Sequence, residues 1–443
     1  MSGFLSSMVG ATYAPPGPVT GVANTWDAYI NNTAFTNVRR YTGLGMQSIA
    51  FHGVYNTDKL VMTFIVGNSA GSSHSYAVGV FDLGTKVFAK SSLTSFGNSF
   101  TAGNYFPGGI AANVTNAYTS SEYGVITAFK NSSGHIKING YTLSGLATCS
   151  TSSLPTMTLG AEATVTTAGY GDPCCVFVSP AGTGGTGGRF MVTRRDNVMS
   201  DANAMWVYNH NGASAPTIYK APSTSGAQGS GKMYAVREGM SAANFAAFYS
   251  FPGSNANTIA DHFRQGNASN DRLTISDAGF GSFGGNSFVA AMIKDVSGDV
   301  IIMSQVNASG TPKHSLGRWT NANSPTVNPS VTRSTVRNWG QLYNAGFCPA
   351  GNLTTATTTH RIYLPTSVGN AMRFDYVDAT SGAGFGLPAT VTTGLTSGVG
   401  TYPSYYEVIT LPWYNSTYGQ YVISWTHHYD DNTVDLIFHK FNP

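Results

Sequence analysis

The sequence predicts an all-β protein, and three observations carry that expectation. Apolar residues alternate, or run in fours to eights, between clusters of Gly, Ser, Asn and Thr, while helical spacing is nearly absent. Glycine fills 52 of 443 positions and proline 19, which supplies turns and interrupts helices. Aromatic side chains, which suit a pleated and packed surface, make up 12% of the chain.

The elements follow in order. Residues 60–66 form an apolar run, Gly67-Asn68-Ser69-Ala70-Gly71 a small-residue loop and 75–81 a returning strand, which together read as a hairpin. Residues 124–129 pair with 135–143 across Asn131-Ser132-Ser133-Gly134. Strand 190–194 is followed by 205–208, and 245–251 precedes a weaker strand at 272–275. Residues 287–294 meet 299–306 across Val296-Ser297-Gly298, and 360–365 meets 371–377 across 366–370. The last hairpin joins 420–428 to 433–441 through Asp430-Asp431-Asn432, whose side chains satisfy turn backbone.

Seven such modules fit between residue 46 and residue 443 at a spacing of about 60 residues, above the ~40–50 of common propeller blades. One hydrophobic core stops growing near ~250–300 residues, and radial repetition keeps a longer chain in one domain. The expected architecture is a β-propeller of about seven irregular four-stranded blades over 46–443. An extended arm (1–21) and a connector (22–45), a candidate source of a ring-closing strand, precede it. The module at 245–275 is the weakest, so six or eight blades stay open. Tandem β-sandwiches divided near 181–188 or 221–231 are the alternative. Closing a propeller takes a strand from the start of the chain against the last strand, which removes exposed edges. Residues 38–44 and 48–54 are the candidates.

Composition narrows the function classes. Charged residues are 10% of the chain, against about 25% in ordinary globular proteins. A net charge of +3, dispersed over this length, is no nucleic-acid footprint. No apolar run approaches the roughly 18 residues of a membrane-spanning helix. The four cysteines (Cys149, Cys174, Cys175, Cys348) are too sparse for a disulfide framework and lack metal-knuckle spacing. Cys174 and Cys175 precede Val176-Phe177-Val178, so a buried strand is expected there.

Each catalytic spelling fails its context. Gly226-Ala227-Gln228-Gly229-Ser230-Gly231-Lys232 matches a phosphate loop until Met233 replaces the Ser or Thr that would hold magnesium. A strand, 233–236, is expected after it instead of a helix. Gly67-Asn68-Ser69-Ala70-Gly71 has nucleophile-elbow spacing but leads into another strand. His427 and His428 are adjacent on a strand and point to opposite faces, so one metal ion cannot bind both without a bulge. Ser276-Asp277-Ala278-Gly279-Phe280 departs from the repeated Ser-x-Asp-x-Gly-x-x-Trp box of sialidase-type propellers, and no carboxylate pair for glycoside chemistry stands out. No catalytic residue, metal or cofactor is expected.

Two features point to partners. Tyr402, Tyr405, Tyr406, Trp413, Tyr414 and Tyr418 cluster around Pro403 and Pro412, and such side chains stack on sugar rings or anchor interfaces. The first 38 residues contain no Lys or Arg and one acid, Asp27, and the arm breaks at Pro15-Pro16-Gly17-Pro18. Without a positive n-region it does not read as a secretory leader. Phe4, Leu5, Met8, Val9 and Tyr13 are its expected docking residues.

The opening Met1-Ser2-Gly3-Phe4-Leu5-Ser6-Ser7-Met8-Val9-Gly10-Ala11-Thr12-Tyr13 resembles the openings of some virion proteins of tailed bacteriophages. The body, poor in charge and rich in Gly, Ser, Thr, Asn and Tyr, is similar to phage tail and appendage proteins. The resemblance implies a non-enzymatic structural component of the virion, present in multiple copies in a symmetric assembly. Its partners would be tail, portal-proximal or capsid subunits, with a host-surface glycan as a further partner. It implies neither nucleic-acid binding nor a membrane span. A self-contained carbohydrate-binding propeller, lectin-like or hydrolytic, is the alternative.

Overall fold

The computed structural model describes the backbone of twenty-nine strands and their immediate flanks. Side chains are described at positions within 29–38, 58–68, 74–95, 137–164 and 421–440. The chain is all-β: among the described residues the helical content is one 3-10 turn, Leu146–Thr148. No helix among them is long and apolar enough to cross a membrane.

Strand β1 (Thr25–Phe35) is set aside for the last sheet. The first sheet runs β2 (Ile49–Asn56), β3 (Lys59–Gly67), β4 (His74–Asp82) and β5 (Phe88–Lys90), with β6 (Thr94–Ser95) also on β4. The second contains β7 (Ile110–Ala112), β8 (Glu122–Lys130), β9 (Ile136–Ser144) and β10 (Thr156–Thr166). The third contains β11 (Pro173–Pro180), β12 (Gly188–Arg194), β13 (Met205–His210) and β14 (Thr217–Lys220).

Two hairpins follow, β15 (Met233–Val236) with β16 (Ala246–Tyr249) and β17 (Ile259–Phe263) with β18 (Arg272–Ser276), and β17 lies alongside β16. Next come β19 (Ser287–Lys294), β20 (Val300–Ala308), β21 (Thr311–Thr320) and β22 (Ser330–Arg337). Then come β23 (Cys348–Pro349), β24 (Thr359–Val368), β25 (Ala371–Thr380) and β26 (Ala389–Thr396). The last sheet has the order β1, β29 (Thr433–Asn442), β28 (Gly419–His428), β27 (Tyr406–Asn415).

Pairing within each sheet is antiparallel between neighbours in sequence, apart from β6 on β4 and the β1–β29 pair. Between sheets, first strands lie beside first strands: β2 by β7, β7 by β11, β11 by β15, β15 by β19, and β23 by β27. Strand β27 also lies beside β2, which brings the last sheet back to the first.

Six of the seven expected hairpins occur as strand pairs. The weak one is corrected: 272–275 pairs with β17, an unexpected strand, and not with the strand at 245–251. The strand that meets the last one lies inside the connector 22–45, but at neither named segment. Residues 48–54 coincide with β2, which pairs with β3, and the strand against β29 is β1, upstream of both candidates. Its register shifts between Asn31 and Phe35, where Asn32-Thr33-Ala34 form an irregularity that breaks the two-residue period.

The first sheet is sandwiched on both faces, which explains the unbroken burial of β3 from Leu60 to Gly67. By register, Leu60, Met62 and Phe64 share a face with Phe81, Gly79 and Ala77, and this face meets the last sheet. The opposite face, carrying Tyr76, meets Tyr141 of β9 with ring centroids 5.2 Å apart.

Candidate functional site at the seam between the first and last sheets

Strand β1, the first sheet and the last sheet meet at one seam. Phe81 on β4 and Phe438 on β29 stack with centroids 3.9 Å apart and planes 3° from parallel. Tyr421 stands edge-on to Phe81 at 5.8 Å, and Phe88 lies 5.4 Å from Phe438. Phe35, near the end of β1, meets Phe64 edge-on at 5.0 Å. Phe35, Phe64, Phe81, Tyr421 and Phe438 are all buried, so the seam is part of the core. Each aromatic contact of this kind adds about 0.5–1.5 kcal/mol beyond area burial.

Val38 joins the two sheets through its backbone. Its N–H donates to the Asn432 carbonyl in the β28–β29 turn at 2.8 Å, and it bridges Asn68 at the end of β3. Asn432 has a φ of 54°, the left-handed geometry that Asn tolerates, in keeping with the turn chemistry expected at 430–432.

The β4–β5 turn supplies the polar part of the seam. Asp82 Oδ1 accepts from the Gly84 and Thr85 amides at 2.9 and 2.7 Å, and the Lys86 amide donates to the Asp82 carbonyl at 2.9 Å. This closes the turn with Lys86 at φ 64°, an unusual state for a long side chain. The Lys86 ammonium donates to the Leu83 carbonyl and, at 2.6 Å, to the Tyr421 hydroxyl. It also lies 5.5 Å from the ring centroid of Tyr29 and 5.3 Å from that of Tyr421. One cation thus ties β1, the first sheet and β28 together.

At the same end of β4, Lys59 lies 2.7 Å from Asp58 and 3.1 Å from Asp82. Burial acts first on both Lys59 and Asp82 and disfavours charge. The carboxylates outweigh it and raise Lys59, while the Thr85 hydrogen bonds and Lys59 lower Asp82. Lys90 on β5 differs: burial alone pushes it below the ordinary lysine range. Its Nζ lies 5.1 Å from the Phe35 ring centroid.

The sequence candidates fall elsewhere. Phe4, Leu5, Met8, Val9 and Tyr13 lie outside the described residues, as do Tyr402, Tyr405 and Tyr418. Tyr406, Trp413 and Tyr414 are on β27, in register with Thr426, Tyr421 and Gln420. A register irregularity between Ile409 and Trp413 separates the first from the other two. The segment after Lys232 is strand β15, and β4 follows the Gly67–Gly71 loop, so neither spelling has a helix after it. Cys174 and Cys175 are on β11, opposite Thr193 and Val192, and Cys149 is buried. Among the described residues no group of three or more His, Cys, Asp or Glu side chains is placed to hold a metal.

Sequence reasoning missed the seam residues Phe81, Lys86, Tyr421 and Phe438. Asp82-Leu83-Gly84-Thr85 carries a readable turn signal. Nothing local marks Lys86 as the residue that reaches Tyr421.

No family model matches the chain, and no curated protein matches it. Among solved structures it is similar to the polysaccharide lyase Uly1, with 10% identity and a TM-score of 0.51 over 92% of this chain and 93% of the lyase. It is also similar to S. cerevisiae core factor, with 9% identity and a TM-score of 0.46 over 96% of this chain. There the chain spans 62% of the core factor chain's length. At 10% identity the likeness to the lyase is one of fold.

Proposed function

We propose that the chain is a seven-bladed β-propeller acting as a structural component of a bacteriophage virion. Residues 1–21 dock it onto a neighbouring tail or capsid subunit, and the β domain is displayed for assembly or contact with the host surface. Seven blades follow if the hairpins β15–β16 and β17–β18 count as one. First strands lie side by side from β2 to β19 and from β23 to β27, and β27 lies beside β2, which supports a ring over tandem sandwiches.

The observation that carries the docking role is the junction of arm and domain. An uncharged, apolar arm with a proline-rich break runs into β1, and β1 is held along its length by β29. An arm anchored in this way passes binding at its tip to the whole domain. The test is peptide mass spectrometry on particles purified by density gradient from the source culture. The protein is expected to band with particles in fixed stoichiometry, carrying its N-terminal peptide. Recovery only as free protein cleaved within the arm would overturn the reading.

A second reading is a carbohydrate-binding propeller. It is favoured by the fold likeness to a polysaccharide lyase over nearly the whole of both chains. Tyr402, Tyr405, Tyr406, Trp413, Tyr414 and Tyr418 would supply its stacking surface. Deleting residues 1–21 separates the two: loss of particle assembly with glycan binding unchanged supports docking, and unchanged localisation supports the second reading.

A further inference from the structure

We infer that Lys90 is an acyl-acceptor amine, modified by activated acyl donors in preference to the other described lysines of the first two sheets. The inference holds under either reading of function, because it rests on how each ammonium is partnered.

Lys59 serves Asp58 and Asp82, and Lys86 serves the Leu83 carbonyl and the Tyr421 hydroxyl. Lys137 meets Glu162 at 3.1 Å and donates to Thr164 Oγ1 at 2.6 Å. Acylating any of these three removes the charge that its acceptors are built around, and an unpartnered buried polar group is costly. Lys90 is different. It has no ion pair or hydrogen bond among the described residues, and its neighbour is the face of Phe35.

Position and environment favour reaction there. Lys90 is half-buried at the end of β5, in register with Gly79. Burial holds the amine below the ordinary lysine range with no carboxylate opposing it, so more of it is the free base at a given pH. Acylation converts a desolvated cation into a neutral amide over an aromatic ring, which removes the burial penalty and leaves no acceptor unserved.

The chemistry needs no redox partner. The neutral Nζ attacks the acyl carbon, the C–N bond forms and the bond to the leaving group breaks. The leaving group departs with its electron pair, and the surplus ammonium proton passes to solvent. Acyl phosphates and thioesters are donors of this class.

The test treats the full chain with acetyl phosphate at mildly alkaline pH and follows each lysine by time-resolved peptide mass spectrometry. Lys90 is expected to acetylate several-fold faster than Lys59, Lys86 and Lys137 in the folded protein, with the four rates converging in urea. Native rates in which Lys90 is no faster than Lys59 and Lys137 would overturn the inference. Thermal melting of Lys90→Gln and Lys59→Gln gives an independent check. Lys90→Gln is expected to melt like the parent and Lys59→Gln below it. An equal fall in both would mean that the Lys90 charge is structurally required, and the inference would fail.

Discussion

Lys86 Nζ lies 2.6 Å from the Tyr421 hydroxyl, a hydrogen bond between residues 335 positions apart in sequence. The donor sits on a left-handed residue, a backbone state that costs a non-glycine residue roughly 1–2 kcal/mol. Glycine would relieve that cost but would bring no ammonium to Tyr421, Leu83 and the ring of Tyr29. The side chain explains why lysine stands here.

Two substitutions separate these terms. Lys86→Met keeps the backbone cost and removes the donor, and is expected to lower stability by about 2 kcal/mol. Lys86→Gly also removes the donor but recovers roughly 1 kcal/mol of backbone strain. Urea unfolding followed by tryptophan fluorescence measures both. Equal losses would show that no strain is stored at residue 86.

Gly79 is required for space. A Cβ there would lie 2.6 Å from Phe88 Cε2 and 3.1 Å from Phe64 Cε2. Gly79→Ala is expected to cost about 1–3 kcal/mol, the usual range for overpacking. In the double variant with Phe88→Leu the combined loss should be smaller than the sum of the two single losses. Additive losses in a double-mutant cycle would place the strain elsewhere.

Asp82 and Lys59 give stability a pH dependence with opposite limbs. Asp82 is lowered in the folded state, so its contribution is present above its unfolded value of 3.8 and is lost as pH falls through its folded value. Lys59 is raised, so its contribution is complete below 10.5 and is lost as pH rises through its folded value. Asp82→Asn keeps an oxygen for the Gly84 and Thr85 amides and removes the charge. It should lower stability at neutral pH and flatten the acid limb of a melting-temperature profile. An unchanged acid limb would mean that other carboxylates dominate it.

Strand β1 covers the edge of β29. Removing residues 1–36 leaves that edge unpaired and deletes Tyr29 and Phe35 from the seam, so lower melting temperature and self-association are expected. Removing residues 1–21 spares β1 and should leave the melting temperature unchanged. Scanning fluorimetry with size-exclusion chromatography distinguishes the two truncations. Equal melting of both would mean that β1 adds nothing to the domain.

The all-β class and most hairpins are legible in the chain, because two-residue alternation and small-residue turns act between neighbouring residues. The run 60–66 and its partner 75–81 needed only that local pattern, and so did the turn at Asn432. Which strand meets the last one, and what fills the seam, come from packing between distant segments. Strand β1 carries Asn31-Asn32-Thr33 and a register irregularity, so its pattern is weak, and its place comes from β29, some four hundred residues later. Lys86, Tyr421, Phe81 and Phe438 are ordinary residues in their own segments. Packing and hydrogen bonding between distant strands are non-local free energies, and no window of sequence contains both partners.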